Sequence, residues 1–176
     1  MFETIDFKKS IDTLKVKWDD NNFVNRYLIL IFPIGLIAIA IAFIYREIAI
    51  LPITGLSLTI GLFIFWIYNI RINDKLTKVH FNGSSTELRK LIETEIKHNN
   101  WQICRNNFQF ITLHTTGKWI VGSKAVILFD KHTILINTQN LDGFRGYFPF
   151  SFGRNKKLTK QLIKIVEQYN NQANLT

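Results

Sequence analysis

The dominant hydrophobic pattern of the chain covers residues 28–70. It consists of two apolar runs, 28–45 and 48–70, which contain no Asp, Glu, Lys, Arg or His and are separated by Arg46 and Glu47. At about 1.5 Å per helical residue, the runs reach roughly 27 and roughly 35 Å, close to the thickness of a hydrocarbon core. The pattern predicts a transmembrane helical hairpin with two spans.

Residues 1–27 precede this hairpin as an amphipathic segment. Four of their apolar side chains recur at helical spacing: Phe7, Ile11, Leu14 and Trp18. The alternation of Leu14, Val16 and Trp18 also suits a strand. Two alternatives stay open: a helix along the inner membrane surface, or a strand that joins a sheet formed after the spans.

Residues 71–176 carry the pattern of a small α+β domain. Ser84-x-x-Glu87 is a capping-box sequence, and a helical apolar stripe follows it to a break at Asn99–Asn100. Strand-like segments come next, at 101–105, 108–115, 119–121, 124–129 and 133–138. A closing amphipathic helix covers about 156–169, with one apolar face: Leu158, Leu162, Ile163 and Val166.

These elements predict a fold class. It is a membrane α-helical hairpin of two transmembrane helices plus a small α+β cytosolic domain, in which a helix, four to five antiparallel strands and a second helix follow one another. The domain boundaries are 1–27, 28–70 and 71–176.

Charge sets the expected orientation. The net charge is +9, and all of it lies in residues 71–176, because residues 1–70 contain six basic and six acidic residues. Basic residues stay in the cytosol, so both termini are expected there and the turn at Arg46 outside. The abundance of Asn, Lys and Ile suggests a bacterial source, and hence a multi-pass protein of the bacterial inner (cytoplasmic) membrane. The single cysteine excludes an internal disulfide.

Small residues recur within the spans at four-residue spacing. The pairs are Ala38 with Ala42, Gly55 with Thr59, and Ser57 with Gly61. Such faces let helix backbones approach closely in lipid. They predict helix packing, either inside the hairpin or against an oligomer or partner subunit.

The stretch from Ser151 to Lys157 is a candidate anion or lipid-headgroup site. Gly153 precedes a predicted helix start, and Ser151, Arg154, Lys156 and Lys157 surround it. Free N–H groups and the helix dipole attract anions at such a position. The alternative is a solvated basic helix start.

Five aromatic residues crowd the segment before this site: Phe144, Tyr147, Phe148, Phe150 and Phe152. An exposed cluster of this kind would contact a partner protein or the membrane. The alternative is that the rings fold onto the sheet and complete its core.

No sequence pattern indicates catalysis or cofactor binding. Cys104, His114 and Asp130 have no family spacing as a nucleophile, base and orienting carboxylate, and the four histidines lack metal-ligand spacing. The only phosphate-loop-like stretch lacks the Walker pattern. The chain is therefore expected to be no enzyme, with no cofactor and no metal. No nucleic acid is expected either, because the basic residues match no recognition motif.

The hypothesis that follows is a non-enzymatic integral inner-membrane protein. It would act as an accessory subunit or regulator through protein–protein contacts of its cytosolic domain, with the lipid bilayer and a protein partner or homo-oligomer as its partners. Two alternatives remain: an immunity-type protector against a membrane-active toxin, and an anionic lipid- or phosphate-sensing membrane-anchored domain.

Overall fold

The computed structural model describes residues 5–18, 27, 30–45, 51–115, 122–141, 151 and 153–174. In this part of the chain, five helices and one five-stranded antiparallel sheet form an α+β fold. The helices are α1 (Phe7–Thr13), α2 (Ile31–Tyr45), α3 (Leu51–Asn73), α4 (Ser85–His98) and α5 (Arg154–Ala173). The strands are β1 (Thr77–His80), β2 (Gln102–Asn106), β3 (Phe110–Thr115), β4 (Gly122–Asp130) and β5 (Thr133–Leu141).

The two predicted spans correspond to α2 and α3, which pack against each other. Among the described residues, one helix is long and apolar enough to cross a membrane: the Gly55–Asn73 part of α3, with a mean hydropathy of 1.5. The apolar stretch found in α2, Ile31–Ala42, is shorter. The sequence therefore located both helices, and one of them has the length and composition of a candidate membrane span. Helix α3 also continues past the predicted end at Ile70, to Asn73.

The sheet has the strand order β1-β5-β4-β3-β2. Strand β1 is a correction to the prediction, which placed no strand before the first helix of this domain. After the hairpin, the described chain runs strand, helix, four strands, helix. Strand β1 has only four residues and is mostly exposed, so its alternation is too short to identify. The predicted strand 119–121 lies outside the described residues, and β4 begins at Gly122.

Helices α4 and α5 cover one face of the sheet. Their apolar stripes interlock with the odd-numbered residues of β3 and β4 and with Ile134 and Ile136 of β5. The buried helical residues are Leu88, Ile92, Ile96, Leu158, Leu162, Ile165, Val166 and Tyr169. This layer confirms both predicted amphipathic helices, although Ile163, predicted on the apolar face, is only partly buried.

The segment that precedes the hairpin covers the opposite face. Ile5 and Val16 are buried there with residues of four strands or strand ends: Leu76, Phe110, Val126, Leu128 and Leu135. Phe7, Ile11 and Trp18 pack against the same cluster. Helix α1 therefore packs its apolar face on the sheet. The alternative that placed this helix along the inner membrane surface does not describe its apolar face.

Hydrogen bonds join this segment to the chain that follows the hairpin. The Val16 N–H donates to the Asp74 carbonyl oxygen at 2.8 Å, and the Leu76 N–H donates to the Leu14 carbonyl oxygen at 3.0 Å. Lys15 and Lys75 form an antiparallel bridge between them. Each open alternative for this segment was partly right, since a short helix is followed by a bridged extended stretch.

The predicted capping box of α4 is confirmed at Ser84 but not at Glu87. The Ser84 side chain caps the helix and accepts a hydrogen bond from the Thr86 N–H. Glu87 would close a capping box by accepting from the Ser84 N–H. Here the Tyr169 hydroxyl accepts that bond at 2.8 Å, and it lies 3.1 Å from the Glu87 carboxylate. An α5 side chain thus completes the cap of α4.

Candidate ligand pocket and contact surfaces

The predicted cationic cluster at the start of α5 is divided between two places. Gly153, with a φ of 78°, turns the chain into the helix. The Arg154 backbone N–H and its side-chain Nε both donate to the Ser151 carbonyl oxygen, at 3.0 and 3.1 Å. Arg154 therefore closes this turn.

Lys156 and Lys157 lie on the outer side of α5. Together with Lys160 and Lys164, they line a shallow groove of about 420 Å³ along the helix. Ser151 borders a different cavity. The structure thus does not bring Ser151, Lys156 and Lys157 to one site.

The cavity beside Ser151, which we call the junction pocket, has a volume of about 200 Å³. It lies where the end of α3, the start of β1, the second half of β5 and the first turns of α5 meet. Its lining residues are Asn69, Ile72, Asn73, Lys75, Thr77, Ile136, Asn137, Thr138, Asn140, Ser151, Asn155 and Thr159. Ten of these twelve described residues are polar, Lys75 is the one ionisable residue among them, and none of them is a carboxylate.

The unequal lengths of β1 and β5 create this pocket. The β1–β5 register begins at the pair Thr77 and Ile136, whereas β5 continues to Leu141. Beyond Ile136, no described strand pairs with this edge of β5. The end of α3 and the start of α5 stand on either side of that open edge.

Internal hydrogen bonds hold the walls of the junction pocket in place. The Thr138 and Thr159 hydroxyls lie 2.7 Å apart and join β5 to α5. The Ser123 hydroxyl donates to the Asn155 side-chain carbonyl oxygen at 2.9 Å. These bonds hold the walls to each other, so the pocket is pre-formed, as binding sites commonly are.

Asn137 is the most unusual residue of this lining. Its side-chain amide donates to the carbonyl oxygens of Asn73 and Lys75, at 2.8 and 2.9 Å. These two acceptors fix the orientation of the amide. Its side-chain carbonyl oxygen is buried and has no hydrogen-bond partner among the described residues. A buried acceptor without a donor costs about 1–3 kcal/mol.

A second surface feature is the turn between β2 and β3. Phe108 stands at its tip, 84% exposed. The Arg89 guanidinium donates to the carbonyl oxygens of Asn107 and Phe108 and to the Asn106 side chain. Burial lowers the pKa of Arg89, which still leaves it cationic at neutral pH. This turn is held in one shape while it presents an apolar ring to solvent.

The predicted aromatic cluster cannot be placed in the fold. Phe144, Tyr147, Phe148, Phe150 and Phe152 all lie outside the described residues. The two interpretations of this cluster stay as they were.

The small residues of the hairpin lie mostly on its outside. Thr59 is buried, and its hydroxyl donates to the Gly55 carbonyl oxygen at 2.7 Å. The other five candidates are exposed: Ala38, Ala42, Gly55, Ser57 and Gly61. A Cβ atom added at Gly55 or Gly61 would have no neighbouring atom within 4 Å, so neither glycine serves contact between α2 and α3.

The residues considered for catalysis do not come together. Cys104 lies on β2 near His114, while Asp130 ends β4 six residues beyond Lys124, the strand partner of His114. At about 3.3 Å per strand residue, this separates Asp130 from His114 by roughly 20 Å. Burial raises the pKa of the Cys104 thiol, which disfavours the reactive thiolate. Among the described residues, no three His, Cys, Asp or Glu side chains form a metal-binding group.

Sequence reasoning missed both the junction pocket and the Phe108 turn. One signal was available: the polar run Asn137-Thr138-Gln139-Asn140 follows three consecutive apolar residues, 134–136, in the same strand. A sheet strand buried on both faces rarely carries four consecutive polar residues unless they meet polar partners. Nothing in the sequence indicated that Arg89 would reach the β2–β3 turn.

Fold and surfaces define the class of molecule: an α+β domain interrupted by an apolar helical hairpin, with a polar pocket where the two meet. No protein-family model matches the chain, and no curated protein or solved structure matches it either.

Proposed function

We propose that the chain is a two-span protein of the bacterial cytoplasmic membrane, with both termini in the cytosol. We further propose that it acts without catalysis, as an accessory subunit or regulator of a membrane complex, through protein contacts of its cytosolic domain. One observation carries this proposal: the segments before and after an apolar hairpin are hydrogen-bonded to each other and share one core.

Pairing of these segments restricts how the hairpin can cross a membrane. Val16 is buried on the sheet and bonded to Asp74, so both ends of the hairpin lie on the same side. A single crossing by α3 would put the N-terminal segment and the sheet on opposite sides and expose the apolar face between them. This pairing supports an even number of crossings, and we propose two.

The outer surface of the hairpin supports insertion over a peripheral position. Large apolar side chains point outward from both helices, for example Ile31 at 63% exposed and Leu58 at 69% exposed. Only 11% of the apolar stretch in α3 is buried. Soluble monomers rarely expose apolar patches beyond a few hundred Å², whereas lipid removes such a surface from water.

Helix lengths fit a bilayer unequally. Helix α3 has 23 residues, or about 34 Å, and crosses with some tilt. Helix α2 has 15 residues, or about 22 Å. Two spans therefore require the remaining apolar residues of the run 28–45 or local thinning of the bilayer.

The basic residues favour the cytosol as the side that holds the sheet. Arg71, Lys75 and Lys78 directly follow or end α3. Lys and Arg residues within a few positions of a span tend to stay in the cytosol, and this tendency is the main determinant of topology. The same charges are attracted to the anionic inner leaflet.

Thiol labelling tests this topology with the native cysteine. In intact spheroplasts, a membrane-impermeant maleimide should leave Cys104 unmodified until the membrane is permeabilised. In a Cys104→Ser background, Leu14→Cys should behave in the same way, and Arg46→Cys should react in intact spheroplasts. If Leu14→Cys and Cys104 differ in accessibility, the hairpin crosses once and the proposal is wrong.

The held turn at Phe108 supports the protein-contact part of the proposal. Strand β1 starts at Thr77, near the end of α3, and runs away from the hairpin to His80, which pairs with Thr133. The Phe108 turn lies at this far end of the sheet, because Phe110 pairs with Leu128, close to Thr133. The exposed ring thus faces away from the proposed membrane, where a protein is available as a partner and lipid is not.

Site-specific photo-crosslinking tests this contact. A photoreactive phenylalanine analogue at position 108 should give one adduct of defined mass in native membranes. The matched control is the same analogue at Lys90, which is exposed on α4 and should give none. Phe108→Ala should reduce recovery of the adduct partner with the tagged protein, whereas equal adducts at both positions would remove Phe108 as the contact.

A further inference from the structure

The junction pocket combines features that suit one kind of ligand. Its cation, Lys75, contributes to the lining together with Ser151 and two residues of the first turns of α5, Asn155 and Thr159. Gly153 caps α5 without a side-chain hydrogen bond, so the positive end of the helix dipole is not offset by a capping side chain. Cation, hydroxyl and helix start together favour an anion with several oxygen atoms, such as a phosphate group.

The remaining lining favours hydroxyl groups beside that phosphate. Asparagine and threonine side chains both donate and accept hydrogen bonds without charge. Asn137 is only 4% exposed, and its side-chain carbonyl oxygen has no donor among the described residues. A ligand hydroxyl that reaches this oxygen would supply the missing donor.

Size and position narrow the ligand further. A volume of about 200 Å³ is below the roughly 300–1,000 Å³ of pockets for drug-sized molecules, so a small polar group fits and an acyl chain does not. Asn69 and Asn73, at the end of α3, form one wall, which would place the pocket at the inner membrane interface.

We propose that the junction pocket binds a glycerophosphate group, with Lys75, Ser151 and the start of α5 at the phosphate and Asn137 near the hydroxyls. Two sources share this chemistry: a soluble glycerol phosphate, and the headgroup of an anionic phospholipid. The pocket exists whether or not the hairpin is inserted; only the lipid source depends on the proposed membrane topology.

Two independent variants and one control test the pocket in the full chain. Lys75→Gln removes the cation. Thr77→Trp fills the pocket from an exposed strand position without deleting a buried partner. Lys78→Gln removes an equal charge from the same strand, outside the lining. Size-exclusion profile and thermal unfolding check that each variant is folded.

The first arm measures binding of sn-glycerol 3-phosphate to protein in phosphatidylcholine nanodiscs by calorimetry. The second measures retention of phosphatidylglycerol by native mass spectrometry after nanodiscs that contain it are exchanged into detergent. Lys75→Gln and Thr77→Trp should each weaken binding about tenfold or more, as expected for loss of a charge-assisted hydrogen bond or of the space itself. Lys78→Gln should bind as the unchanged chain does.

The arms separate the sources and allow the proposal to fail. Binding in the first arm identifies a soluble phosphate ester, and binding in the second alone identifies a lipid headgroup. Absence of binding in both arms overturns the proposal. Equal losses in Lys75→Gln and Lys78→Gln, with none in Thr77→Trp, would also overturn it, because they indicate general charge attraction. If thiol labelling excludes insertion, the first arm still decides.

Discussion

At the scale of single residues, the Tyr169 hydroxyl links α5 to the start of α4. It accepts from the Ser84 N–H at 2.8 Å and has the Ser84 carbonyl oxygen and the Glu87 carboxylate within reach as acceptors. Tyr169→Phe should lower the free energy of unfolding by about 1–2 kcal/mol, because it leaves the Ser84 N–H without this partner. Chemical unfolding of the protein in detergent measures the loss. Tyr68→Phe, at an exposed position of α3, is the matched control and should change nothing.

Gly83 provides a second variant for the same hydroxyl. A Cβ atom at this position would lie 2.6 Å from the Tyr169 hydroxyl oxygen, and Gly83 has a φ of +94°. Gly83→Ala should therefore destabilise through both backbone strain and a clash. In the Tyr169→Phe background the clash is relieved and the strain is kept, so the two losses should sum to more than the loss in the double variant. Simple additivity would show that the hydroxyl and Gly83 do not interact.

At the scale of elements, the sequence predicts helices whose apolar pattern repeats over several turns and misses a strand of four residues. Helices α4 and α5 were found because their apolar residues repeat over three or more turns. Strand β1 was missed because its four residues present a single partly buried side chain, Val79. The alternatives for residues 1–20 could not be resolved, since the partner that decides between them, residues 74–76, is separated from them by the whole hairpin. Such pairing depends on tertiary contacts that local patterns do not encode.

Attachment of the N-terminal segment depends on Val16, which is 2% exposed. Val16→Asp would bury a carboxylate among apolar side chains and should release this segment from the sheet. Trypsin should then cleave after Lys15 and Lys17 at least about tenfold faster, in line with a larger open population. Leu14→Asp adds the same charge on the other side of Lys15, at an exposed position. Trypsin should cleave this variant at the same rate as the unchanged protein. Equal cleavage rates in both variants would show that the segment is not held by Val16.

At the scale of the whole molecule, the hairpin is an insertion into a continuous α+β domain. The sequence predicted three consecutive domains, and a strand of residues 1–27 that joins the sheet of the third was one of two alternatives that local patterns left open. The junction pocket is hidden from the sequence for the same reason. Lys75 and Asn137 are far apart along the chain. They become neighbours only because β5 extends beyond the first residue of β1 in the sheet.

This architecture predicts that the hairpin can be removed. Replacement of residues 19–73 by a flexible linker of about ten Gly and Ser residues spans roughly 17 Å on average, and Val16 is already bonded to Asp74 at 2.8 Å. The product should be soluble in water without detergent, monomeric, and cooperative in thermal unfolding. Residues 74–176 alone are the matched control: without Ile5 and Val16, the apolar cluster of Phe110, Val126, Leu128 and Leu135 faces water, so this fragment should aggregate or bind a hydrophobic dye. If both products behave alike, the N-terminal segment contributes nothing to the domain, and the argument for an even number of membrane crossings loses its basis.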